Sequence, residues 1–131
     1  MRVAGGCHCG AVRFEADADP EDTSVCHCTD CQSLTGTAFR VSVRARGLRV
    51  TAGTPAVYVK VADNGVRREQ HFCRDCGSPL FTRAEGEREG WHLRWGAVRQ
   101  RDALVPREAI WLRSAVPWLP SVPDLPGRDG D

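Results

Sequence analysis

Seven cysteines in 131 residues fall into three groups, and their spacing limits what they can do. Cys7 and Cys9 stand in "CHCG", Cys73 and Cys76 in "CRDCG", and Cys26, Cys28 and Cys31 in "CHCTDC". An odd count of thiols cannot pair fully within one chain. The opening "MRVAGGC" also carries no apolar signal segment, so a cytoplasmic, reducing setting is expected, in which metal chemistry takes precedence over disulfides. In Cys-x-x-Cys-Gly, two sulfurs converge at a tight turn, and the glycine that follows tolerates the backbone conformation that aims amides at sulfur. "CRDCG" is that pattern, and "CHCG" is its shorter counterpart closed by Gly10. The two half-sites together supply a four-sulfur tetrahedron, so Cys7, Cys9, Cys73 and Cys76 are read as ligands of a structural zinc that ties the N-terminal strand to the second half of the chain.

Cys26, Cys28 and Cys31 lack the closing glycine and number only three. In extended chain, residues 26 and 28 face one side. A turn begun at Thr29 or Asp30 brings Cys31 round to meet them while His27 points away. Three thiolates and a vacant fourth position form the donor set of a catalytic zinc, open to water or substrate. Spacing alone leaves three alternatives: closure by His71 or His92, a second structural zinc, or a redox-active thiol cluster. A thiol entering an open zinc position would lose its proton near neutral pH and become a nucleophile. Ser33, Thr35 or the amides around Gly36 stand nearest in sequence to meet negative charge developing there, although ordinary turn formation is the simpler account of "SLTGT". Arg40 and Arg94 are candidates to meet a ligand's carboxylates.

These residues need a scaffold, and the rest of the chain reads as one of short strands. Alternating apolar and polar residues mark Gly10 to Ala16, Thr37 to Val43, Gly47 to Ala52, Ala56 to Ala62 and Trp91 to Val98. Asp19-Pro20, Gly53-Thr54-Pro55, Asp63-Asn64-Gly65 and the polar run 85–90 separate them, and Asn64-Gly65 marks a hairpin. One helical turn is expected at Thr29 to Leu34. With 41% hydrophobic residues, one domain over 1–117 can bury a core, and the Pro-rich 118–131 reads as an extended tail. The formal net charge of +1 demands neither a polyanion nor a membrane surface. Within it, residues 36–83 carry nine basic groups against three acidic ones.

On "GGCHCGAVRFEA", "CHCTDCQSLTGTAF", "HFCRDCGSPLF", "WHLRWGAV" and "PWLPSVPDLP" the chain resembles the glutathione-dependent formaldehyde-activating enzyme family, which includes centromere protein V. The resemblance implies a mainly β fold, a β-tent of short antiparallel strands in packed sheets. It implies two zinc ions per chain, a structural one on Cys7, Cys9, Cys73 and Cys76 and a labile or catalytic one on Cys26, Cys28 and Cys31. It further implies a carbon-sulfur lyase activity that condenses formaldehyde with glutathione, or a similar small aldehyde with a similar thiol. The rival readings are non-catalytic: a thiol or adduct carrier, a structural module, or a nucleic-acid-binding module. The last is disfavoured by the absence of a dense basic patch with interleaved aromatics.

Overall fold

The alternating runs form strands, and two of them continue through the expected turns. In a computed structural model describing residues 1–131, the elements are β1 (Arg2–Gly6), β2 (Arg13–Cys26), α1 (Thr29–Thr35), β3 (Arg40–Ala52), β4 (Ala56–Val61), β5 (Arg67–Phe72), β6 (Pro79–Ala84), β7 (Trp91–Arg94) and β8 (Glu108–Ile110). The Asp19-Pro20 turn is absorbed into β2. Its register against β3 shifts between Ala18 and Thr23, a bulge that accommodates a residue without an amide hydrogen. β3 likewise fuses two expected runs, and the Trp91 run ends at Arg94, followed by a 3-10 turn at Trp95–Ala97. The Asn64-Gly65 hairpin forms as expected, pairing Val61 with Arg67. In the tail, Leu119–Asp124 coils into a 3-10 helix where extended chain was expected, because its spaced prolines fit that dihedral range. No helix is long and apolar enough to cross a membrane.

The fold is mainly β. One hydrogen-bonded sheet runs in the order β1-β2-β3-β7-β6-β5-β4, antiparallel throughout, with β8 added parallel to the end of β2. The sheet folds over on itself. β2 and β6 lie three strand spacings apart along it, roughly 14 Å in a flat sheet, yet the Phe14 and Phe81 rings meet edge to face at 5.4 Å. The two halves therefore pack face to face around Val3, Phe14, Val43, Leu80, Phe81 and Leu93, all almost fully buried.

Directly opposed residues in antiparallel strands share a face, and the register sorts this sheet into two chemistries. Val43, Leu93, Phe81 and His71 form one connected row toward the core. The adjacent positions form a polar row: Cys26 opposite Arg40, Ser42 opposite Arg94, His92 opposite Thr82, and Thr82 opposite Gln70. Ser42, Gln70, Thr82 and Arg94 are nonetheless buried. That polar row is the floor of a cavity.

Candidate metal centres and the cavity beside them

The four-cysteine cluster joins the two ends of the folded sheet. Cys7 and Cys9 lie in the turn from β1 to β2, and Cys73 and Cys76 in the turn from β5 to β6. Both turns close on a glycine in the left-handed region, Gly10 at φ 82° and Gly77 at φ 76°, as the sequence pattern requires. The Cys7 amide donates to the Val12 carbonyl at 3.0 Å and the Val12 amide to Cys7 Sγ at 3.2 Å, while the Gly77 amide donates to the Cys73 carbonyl at 2.8 Å. Cys7 Sγ lies 3.6 Å from Cys9 Sγ, which lies 3.8 Å from Cys73 Sγ. A tetrahedron with metal-sulfur bonds of about 2.3 Å has edges of about 3.8 Å, whereas a disulfide would need about 2.05 Å. The four sulfurs, all free thiols, are spaced for an ion.

The three-cysteine cluster forms where β2 ends. Cys26 is the last residue of the strand and buried, while Cys28 and Cys31 are half-buried at the start of α1. The helix begins at Thr29, where a turn was expected, and Cys28 caps it: its sulfur accepts the Cys31 amide at 3.2 Å. A thiolate acceptor satisfies the same orphan amide that an oxygen normally does. The three sulfurs lie within 4.8 Å of one another, and no histidine or carboxylate joins them. His71 points to the core, stacked at 5.0 Å on Phe81 and bonded to Glu69 at 2.9 Å. His92 lies on the polar floor without completing the set. His27 packs its ring against Phe39 at 5.8 Å, away from the sulfurs as expected.

Both clusters divide their thiols electrostatically. Burial pushes Cys28 up to about 12, helped by the neighbouring Cys31 sulfur. Burial also raises Cys26, but the Cys28 amide and the Arg40 guanidinium outweigh it and hold the thiol below its usual value. In the other cluster the Ser78 hydroxyl and the Cys9 and Ser78 amides lower Cys76 to about 5. Cys9 is pulled down by the Ala11 amide, yet the crowding of Cys7 and the other sulfurs carries it up to about 12. Close sulfurs cannot all ionise without a cation among them. Soft, crowded donors of this kind fit zinc.

A cavity of about 580 Å³ opens over the three sulfurs, within the range of small-molecule sites, about 300–1,000 Å³. Its side chains include four cations, Arg40, Lys60, Arg68 and Arg94, and two carboxylates, Asp30 and Asp63. Lys60 is paired with Asp30 at 3.0 Å, whereas Arg40, Arg68 and Arg94 have no carboxylate within 4.0 Å. The roof is a strap that sequence reasoning left unassigned. β8 pairs with β2, the His27 amide donates to the Ile110 carbonyl at 3.1 Å, and the Gln32 side chain donates to the Ser114 carbonyl at 3.1 Å. Between those anchors Trp111 adopts φ 57°, the only non-glycine residue at positive φ, and lines the cavity. Thr35, by contrast, spends its hydroxyl on the Cys31 carbonyl at 2.6 Å, and neither it nor Ser33 faces this cavity. Turn formation explains them. Arg68, Gln70, Thr82 and Trp111 were missed because only strand register and the strap bring them there.

Residues 2–114 match the sequence model of the family described as glutathione-dependent formaldehyde-activating enzyme. The chain belongs to that family. Among family proteins, one from Halomonas elongata bears the name "Putative glutathione-dependent formaldehyde-activating enzyme" and is 32% identical over 87 residues, 62% of this chain and 55% of that protein. The chain thus matches about half the length of that relative. A crystal structure of a Rhodobacter sphaeroides protein superposes with a TM-score of 0.61 at 24% identity, covering 81% of this chain and 98% of that one. It shares the fold.

Proposed function

We propose that this formaldehyde-activating enzyme homologue is a zinc-dependent carbon-sulfur lyase acting at the three-cysteine cavity. It joins a thiol such as glutathione to formaldehyde or a similar small aldehyde, in the manner of an S-(hydroxymethyl)glutathione synthase. The observation that carries the reading is the converging trio Cys26, Cys28 and Cys31, with no fourth protein donor, on the floor of a cavity holding three arginines without carboxylate partners. Cys7, Cys9, Cys73 and Cys76 hold the structural zinc in this reading, and residues 1–117 form the catalytic domain.

Cys26, Cys28 and Cys31 would hold the zinc, which would supply the Lewis acidity that turns a bound thiol into a thiolate. The sulfur-carbon bond forms as the carbonyl π bond breaks, and the proton leaving sulfur ends on the new hydroxyl oxygen. The chain supplies the rest. Arg68 offers N–H donors from the cavity floor to the oxygen that gains charge, and Gln70 keeps Arg94 in place through a 2.9 Å bond from the guanidinium to its amide oxygen. Trp111 and the strap limit water over the reacting atoms.

Formaldehyde and glutathione combine unaided, so the test is rate. Adduct formation is followed by exchange NMR at catalytic protein concentration, with wild type and Cys28→Ser. Acceleration by wild type and its loss in a folded Cys28→Ser protein support catalysis. Equal rates with and without wild type would refute it.

A further inference from the structure

A second cavity, of about 740 Å³, lies beside the three-cysteine one. Val12, Phe39, Val41, Pro79, Trp95 and Val98 give it an apolar surface, Arg13, Arg99 and Arg101 line it as well, and it touches none of Cys26, Cys28 and Cys31. Only Arg40 and Arg94 line both this cavity and the three-cysteine one. They stand at the boundary between a thiol-binding chamber and an apolar one.

The pair is under-satisfied for its burial. Arg94 is 8% exposed, and its one side-chain bond goes to neutral Gln70. Arg40 donates to Ser42, and its buried Nε has no partner. Neither has a carboxylate within 4.0 Å, as noted above. Buried Arg94 and half-buried Arg40 have no carboxylate partner, only the nearby cysteine sulfurs as opposite charge, and the planar fork of N–H groups matches one anion shape best, a carboxylate held by paired bonds.

We propose that Arg40 and Arg94 bind the carboxylate of the substrate at the boundary of the two cavities, so that its thiol reaches Cys26, Cys28 and Cys31 while an apolar arm lies against Trp95 and Phe39. The substrate class is a mercapto acid with an apolar branch. The thiol half of this assignment rests on the function proposed above; the carboxylate and the apolar arm do not.

The probe is therefore thiol-free. Binding of 3-phenylpropionate to the zinc-loaded protein is measured by calorimetry, with the neutral 3-phenylpropanamide as comparison. The acid binds at least about tenfold more tightly than the amide, as a charge-assisted pair predicts. Arg94→Gln and Arg40→Gln each erase that preference. Arg40 is only half-buried, so it carries the test if Arg94→Gln does not fold. Arg99→Gln, on the exposed rim, changes affinity less than about twofold. Gly96→Leu weakens the acid by filling the apolar chamber, since a Cβ there meets nothing within 4 Å. Equal binding of acid and amide, or equal losses in Arg99→Gln and Arg40→Gln, would overturn the proposal, as would unchanged binding in a folded Gly96→Leu protein. The two readings separate in a second arm with 2-mercapto-3-phenylpropionate and formaldehyde. No rate increase, with 3-phenylpropionate binding intact, removes the catalytic reading and leaves the anchor standing.

Discussion

Cys76→Ser tests whether the four-cysteine cluster is a clasp. Cys76 is exposed, and serine matches its shape, so the substitution costs little packing and any large effect reports the cross-link. The cluster brings together Cys9 and Cys73, 64 residues apart in sequence. Closing a loop of that length removes ~4 kcal/mol of chain entropy from the unfolded state. A chain of this size has a total stability of about 7–20 kcal/mol, so the clasp is a large share. With an unfolding entropy of about 0.28 kcal/mol per kelvin, its loss lowers Tm by roughly 15 °C. Cys28→Ser gives the contrast, because Cys26, Cys28 and Cys31 are neighbours in sequence and close almost no loop. The assay is calorimetric melting with metal content measured on the same samples. Cys76→Ser should melt about 15 °C lower, whereas Cys28→Ser should drop to about one zinc per chain and melt within about 4 °C of wild type. Equal Tm losses in the two variants would refute the division of roles.

Gly5→Ala should destabilise the fold by about 1–3 kcal/mol, since the new Cβ would lie 2.3 Å from the Ala97 carbonyl oxygen and 2.4 Å from Phe14 Cζ; a lowered urea midpoint with unchanged slope checks this. Burial, then the Arg68, Arg40 and Arg44 charges, lowers His92 to about 4. The unfolded chain therefore takes up this proton first as pH falls, and His92-linked stability is lost between about 6.5 and 4, so His92→Gln should flatten that part of the stability profile. Glu69 is held below 4.5 by Arg83, against burial and with help from His71. Its contribution is full above 4.5 and lost as pH falls through the lower folded value, so Glu69→Gln should lower the neutral-pH urea midpoint more than the midpoint in acid. Trp111→Gly relieves a positive φ while removing part of the roof, so Tm should stay within about 4 °C while KM for the thiol rises in steady-state assays.

The sequence made the cysteine chemistry legible because local spacing and glycine placement determine it. "CHCG" and "CRDCG" carry their closing turns within five residues, and the structure brings the four sulfurs together from opposite ends of the sheet. "CHCTDC" was equally local, down to the short helix that turns Cys31 back. The cavity above it was not. Arg68, Gln70, Thr82 and His92 converge only because strand register places them in one row, and that register depends on pairings between segments far apart in sequence. The long strands were missed for a related reason: Asp19-Pro20 reads as a turn and the runs 37–43 and 47–52 read as separate strands locally, but pairing with a neighbouring strand carries the chain through both places. Arg40 and Arg94 were legible as candidates from their type, and their place between the two cavities is what distinguishes them from the chain's other arginines.

The strap of residues 108–114 gives the molecule an order of assembly. All seven sulfurs precede residue 77, strands β1 to β7 end by Arg94, and the core is complete by Leu104. The cavity roof comes after all of these, held by three residues of parallel pairing and a few bonds to His27 and Gln32. A chain folded through Leu104 therefore has both sulfur clusters in place before its cavity is roofed. Natural variation or truncation near the C-terminus would then alter what the protein accepts long before it alters whether the protein folds.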